Sequence, residues 1–222
     1  MSAAAAKPPK RAAAGAAPKA PMPSDGRALR SQGKKTMTKL LDAGMEVLAE
    51  RGYHSARVDD VVRLAKVSHG TFYLYFANKE DLFRALADQC AQDMTALAVT
   101  LGPVGPGADG VDELRRWLGE FIAGYRRYGV VIRAWMEDQI ASRELSKLGL
   151  KTFDAITGAL VNRLIEARSL DTAEADLLAA ALLAMIERFT YFATSRNLAF
   201  DDADVVDTLA VVIHRGFFAP AA

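Results

Sequence analysis

Four aromatic residues, Phe72, Tyr73, Tyr75 and Phe76, fall within five positions of the stretch "VSHGTFYLYFANKEDLF", residues 67–83. Ser68 and Asn78 stand where side-chain oxygens would cap the starts of two helices, with Asp81 three residues after Asn78 in the capping-box place. On a wheel at about 100° per residue, Phe72 and Phe76 share one face and Leu74 lies opposite. Gly70, Thr71 and Tyr75 fill the side around Leu74. Two rings therefore hold the short helix to its own domain, and a small, hydroxylated and aromatic face is left outward.

The same helical spacing runs through the rest of the chain. Met37, Leu40, Leu41, Gly44, Met45 and Leu48 recur at three- and four-residue steps and predict a helix from Ser31 onward. Gly52 supplies the positive-φ residue that ends it, with Tyr53 as its apolar cap. Val58, Val61, Val62 and Ala65 form a second, short helix, whose first turn holds Asp59 and Asp60 at the end the dipole prefers for anions. A long helix follows Asn78 through Leu82, Phe83, Leu86, Cys90, Met94, Leu97 and Leu101. The Gly/Pro run "LGPVGPGADG", 101–110, breaks it. Helices are then expected at 110–128, 130–141, 143–168, 172–196 and 202–218. No strand pattern occurs, so the fold class is all-α.

Charge is unevenly placed. The formal net charge is +1, yet residues 1–40 hold nine Lys/Arg against the single acid Asp25, a local balance of +8. Such a positive end suits a polyanion. Residues 1–28, rich in Ala, Pro and Lys, lack periodicity and read as a disordered basic arm. The expected domains are that arm, a helix-turn-helix domain at 29–80, and a helical effector-binding and dimerisation domain at 81–222.

Several classes are excluded. The longest uninterrupted apolar run, 177–186, is too short to cross a bilayer. The single Cys90 forms no internal disulfide and fits a reducing compartment, so a cytoplasmic location is expected. His54, His69 and His214 lack metal-ligand spacing, and no G-x-S-x-G occurs. Gly105, Gly107 and Gly110 match G-x-G-x-x-G, but no strand precedes them and Pro106 interrupts them. Neither an enzyme nor a cofactor site is expected.

Two short helices joined by the turn "AKVS" make a helix-turn-helix, whose second helix enters the major groove of DNA. The stretch "LLDAGMEVLAERGYHSARVDDVVRLAKVSHGTFYLYFANKEDLF" strongly resembles the TetR family of bacterial transcription regulators. It carries that family's Gly-aromatic corner, its "VS-x-G-T-[FL]-Y-x-[HY]-F" recognition helix and its "x-K-E-x-L" entry to the next helix, over about residues 35–85. The resemblance implies DNA contacts at His69, Gly70, Thr71, Tyr73, Leu74 and Tyr75. It implies phosphate contacts at Lys79, Lys35, Thr36 and Arg57. Two positions depart from the pattern: Lys66 stands where the family has Gly, so either it accepts a left-handed backbone or the turn differs, and Arg57 replaces a capping Ser/Thr.

For the C-terminal region the resemblance implies an all-helical domain that binds a small apolar effector and dimerises. Trp117, Phe121, Tyr125, Trp135, Phe153, Met185 and Phe189 are the candidate pocket. Leu178, Leu182, Met185, Val206, Leu209, Ile213 and Phe217 are the candidate homodimer interface, because "ADLLAAALLAMIERFTYFA" is apolar nearly all round its wheel. The expected function is a ligand-responsive repressor binding double-stranded DNA at a pseudo-palindromic operator. An activator, or a helical ligand-binding scaffold without DNA activity, is the alternative.

Overall fold

A computed structural model describes residues 23–136, 142–195 and 200–219. The helices are α1 Pro23–Ser55, α2 Val58–Ala65, α3 His69–Tyr73, α4 Lys79–Ala98, α5 Ala108–Met136, α6 Arg143–Arg168, α7 Thr172–Ser195 and α8 Asp202–Ile213, followed by a π-helical turn at His214–Phe218. There is no strand among the described residues, and the chain is all-α.

The chain divides into two units, residues 1–36 and residues 37–222. In the first, helix begins at Pro23, so residues 23–28 are helical where a disordered arm was expected. Proline is tolerated at the first helical position, since its missing N–H would have no partner there. Residues 1–22 of the expected arm lie outside the described residues.

In the second unit one continuous core runs from Leu40 to Phe218. The boundary expected near residue 80 therefore does not separate two cores. Helix α1 approaches α4 closely at Gly44, where an added Cβ would stand 2.9 Å from a Leu82 methyl carbon. Gly52 has φ 72° and ψ 166°, a backbone that a side chain would strain, and it interrupts the helical geometry of α1 as expected.

Helix α5 is continuous across Gly129, where a break between two helices was expected. Tyr128, Val130 and Val131 are buried around it, and their packing outweighs the ~1 kcal/mol cost of a mid-helix glycine. Behind α4, the segment 99–107 is held by side chains from three elements. Arg116 Nη2 donates to Thr100 O at 2.6 Å, Arg163 Nε to Leu101 O at 2.9 Å, and His214 Nε2 lies 2.8 Å from Gly105 O. Glu113 accepts from Gly102 N at 2.6 Å, and its hydrogen bonds with Arg116 hold its carboxyl below the usual carboxylate range.

Helix α7 is long and apolar enough over Thr172–Thr194 to cross a membrane, with mean hydropathy 1.4. The ten-residue run seen in the sequence understated this. Its buried Ala175, Ala179, Leu182, Leu183 and Ile186 pack in the helical core, and Glu187 accepts a hydrogen bond from Tyr125 at 2.9 Å, as suits a bundle helix.

Lys66 settles the question left open at the turn. It has φ 55° and ψ 46°, and Val67 N closes the helix end on Val62 O at 3.0 Å. A left-handed non-glycine residue costs about 1 kcal/mol. Lys66→Gly is therefore expected to raise stability by roughly 0.5–1 kcal/mol in urea denaturation; no gain would mean that the lysine side chain compensates the strain.

Candidate nucleic-acid interface

Helices α2 and α3 are built by local signals. Ser68 Oγ accepts from Thr71 N at 3.1 Å, and Asn78 Oδ1 from Asp81 N at 2.8 Å, while Asp81 reaches back to Ala77 N at 3.0 Å. Arg57 caps α2 with no side-chain hydrogen bond, as its replacement of Ser/Thr implied. The regular part of α3 is only His69–Tyr73, shorter than the eight residues projected on the wheel, and Leu74–Tyr75 continue as a turn.

Phe72 and Phe76 are inward as expected, while Tyr75, expected outward beside Leu74, packs against the core. Phe72 is 0 % and Phe76 3 % exposed, their rings 5.6 Å apart, whereas Tyr73 is 57 % and Leu74 82 % exposed. His69 and Gly70 are also exposed; Thr71 and Tyr75 are half-buried. A Cβ on Gly70 would meet nothing nearer than Ser68 Oγ at 3.7 Å, so packing within the chain does not require glycine there. Close approach of another molecule's backbone would. His69, Gly70, Thr71, Tyr73 and Leu74 are thus brought together on one short element.

Lys79 is engaged within the chain. Its Nζ donates to Tyr53 O at 2.8 Å and His54 O at 3.3 Å, and stands 4.7 Å from the centroid of the Tyr53 ring. The cation closes the carbonyl end of α1, where the helix dipole favours it. Lys79→Ala is expected to cost about 1–2 kcal/mol of stability while leaving the salt dependence of DNA affinity unchanged. A slope shallower by ~0.9 would restore the phosphate role. Within the first unit, Lys35 is exposed and Thr36 Oγ1 donates to Gln32 O at 3.0 Å.

Two acidic residues on α2 were read only as partners of its dipole. Asp59 Oδ1 lies 2.7 Å from His69 Nε2. Asp60 is 8 % exposed, pairs with Arg63 within α2 and joins α2 to α1 through Arg51 at 3.6 Å. The Asp60–Arg63 pair has the three-residue spacing of helix neighbours, but no spacing rule pairs residues nine or ten apart across a turn, so the sequence held no signal for the contacts to Arg51 and His69.

The C-terminal candidates do not assemble into a pocket. Trp117, Phe121 and Tyr125 are at most 3 % exposed and stack along α5, with Trp117 and Phe121 centroids 5.6 Å apart. Trp117 Nε1 donates to Leu97 O at 3.1 Å. Burial, then the Glu187 carboxylate, push the Tyr125 hydroxyl well above its ordinary value. Phe153 is 42 % exposed, Met185 and Phe189 are half-buried, and the Trp135 side chain lies outside the described residues. A cavity of about 490 Å³ opens instead between α5 and α8, beside Gly119, Ala123, Ala203 and Val206. Helical spacing says which face is inward, but not whether space remains there.

The expected dimer face is also divided. Leu182, Leu209 and Ile213 are at most 3 % exposed in the chain's own core, while Leu178, Met185, Val206 and Phe217 are half-buried. Outward on these helices are Leu177 and Val212, at 74 % and 50 % exposure, with Ala180, Ala181 and Ala184. An apolar wheel cannot distinguish a chain's own core from a partner's surface.

A short exposed helix pinned by two buried rings, set against α2 across a three-residue turn, has the architecture of a helix-turn-helix protein. Residues 40–86 match the family described as bacterial regulatory proteins, tetR family. The match takes in α2, α3 and the start of α4. It is 49 % identical over 47 residues to the fatty acid metabolism regulator protein of Bacillus subtilis, covering 21 % of this chain and 24 % of that one. Against the HTH-type transcriptional regulator EthR of Mycobacterium tuberculosis it is 28 % identical over 203 residues, covering 87 % and 92 %. The crystal structure of FadR from Bacillus subtilis in complex with stearoyl-CoA superposes with TM-score 0.60 at 19 % identity, covering 81 % of this chain and 98 % of that one, and shares the fold. The aligned segments span about a quarter of the length of the first curated relatives, 24 %, 26 % and 22 %.

Proposed function

We propose that this chain is a ligand-responsive transcriptional repressor that binds double-stranded DNA as a homodimer. The observation that carries the reading is the division of α3: Phe72 and Phe76 are spent on the core, and Tyr73 and Leu74 of the same short element are left to solvent. A helix that only packed would not expose a tyrosine and a leucine between two buried rings. Tyr73 and Thr71 hydroxyls suit phosphates or base edges, and Leu74 suits a thymine methyl. Two such elements, about 34 Å apart in a dimer, would occupy successive major grooves of a pseudo-palindromic operator. The exposed Leu177, Ala181, Ala184 and Val212 on α7 and α8 support a dimer through these helices.

An apolar small molecule is the proposed effector, supported by the stearoyl-CoA in the FadR complex. Moving the protein from nearly all binding-competent to nearly none needs roughly 5 kcal/mol of differential affinity. Operator DNA must then weaken effector binding by the same factor. A salt titration of duplex affinity tests the DNA role. Each neutralised phosphate adds about −0.9 to the log–log slope, so several contacts give a steep line; a flat line would leave a helical scaffold without DNA activity.

A further inference from the structure

His69 opens α3, and the first residues of a recognition helix are those that meet base edges. Its Nε2 lies 2.7 Å from Asp59 Oδ1, on the first turn of α2, and both side chains are open to solvent, at 57 % and 75 %. A carboxylate on a surface that approaches DNA repels phosphate and weakens binding to every sequence. Its presence calls for a compensating role. The two ring nitrogens of an imidazole differ, and the hydrogen bond made by one decides which is left for a second partner. With Nε2 engaged by Asp59, Nδ1 is the nitrogen that remains.

We propose that Asp59 is a specificity-determining positioning residue: it holds Nε2 of His69 so that Nδ1 is presented to one base of the operator. This rests on the DNA-binding reading above. Asp59 thus trades general affinity for selectivity, which separates it from a residue that merely favours the α2 dipole. A dipole role moves stability and leaves base preference alone.

The test uses the full chain on a duplex selected from random DNA, on that duplex varied one base pair at a time, and on unselected duplex. Asp59→Asn removes the charge but keeps an acceptor for Nε2–H; Asp59→Ala removes both. Both variants are expected to bind unselected duplex about 2- to 5-fold more tightly. Asp59→Ala, like His69→Ala, loses preference at the same single position by about 3- to 10-fold, whereas Asp59→Asn retains it. Combining Asp59→Ala with His69→Ala adds no further loss at that position. If Asp59→Ala keeps the wild-type preference, or loses as much in the His69→Ala background as in the wild type, the inference is overturned and the DNA-binding reading stands. If the wild type binds no duplex in a salt-dependent way, the reading beneath it fails as well.

Discussion

Phe72→Ala is expected to lower stability by about 3–5 kcal/mol, the cost of emptying a fully buried aromatic site. Phe72 is 0 % exposed and packs against Phe76 at 5.6 Å and edge-on against Tyr73 at 5.5 Å. Native stabilities run to about 5–15 kcal/mol, so the loss is a large share of the total. Urea denaturation checks it, with Tyr73→Ala as the control: Tyr73 is 57 % exposed, and its removal should stay within about 1 kcal/mol. DNA affinity separates the two in another way. Both variants should bind poorly, but only Phe72→Ala should do so because the element itself is lost. Equal stability effects from the two substitutions would mean that the rings are not divided between holding and contact.

Trp117→Ala is the second large effect, again about 3–5 kcal/mol. Trp117 is 0 % exposed, stacks on Phe121 and donates to Leu97 O at 3.1 Å, so its loss opens a cavity and removes one hydrogen bond, while Leu97 O keeps those from Thr100 N and Oγ1. The experiment also tells core from effector site. A tryptophan lining an empty pocket would cost little stability without ligand and would act on ligand affinity alone. Denaturation without ligand that shifts by less than about 1 kcal/mol would return Trp117 to the pocket.

Much of the helix-turn-helix region was legible because its signals are local. Ser68 and Asn78 cap the helices they precede, Gly52 takes the positive φ that its position demands, and the wheel separates Phe72 and Phe76 from Leu74. Each depends on residues within four positions of one another, which is the range over which backbone hydrogen bonds act. The intramolecular partners of Lys79 left no such signal. Its position in the motif pointed to a phosphate, while its acceptors are backbone carbonyls 25 and 26 residues earlier. Backbone oxygens are the same in every sequence and leave no mark in it.

The C-terminal helices were found by period, yet their partners were not. The apolar residues of α7 and α8 divide into Leu182, Leu209 and Ile213 inside and Leu177 and Val212 outside. Hydrophobic spacing carries an angle about one helix axis and no information about what lies beyond it. By itself, the sequence determined that the chain is helical, where Ser68 and Asn78 start helices, and that Phe72 and Phe76 turn inward while Tyr73 and Leu74 turn outward, since capping and periodicity are properties of contiguous chain. Only the tertiary structure decided that Asp59 meets His69, that Lys79 closes α1 and that Trp117 is core, because those contacts arise when helices distant in sequence are brought together by burial.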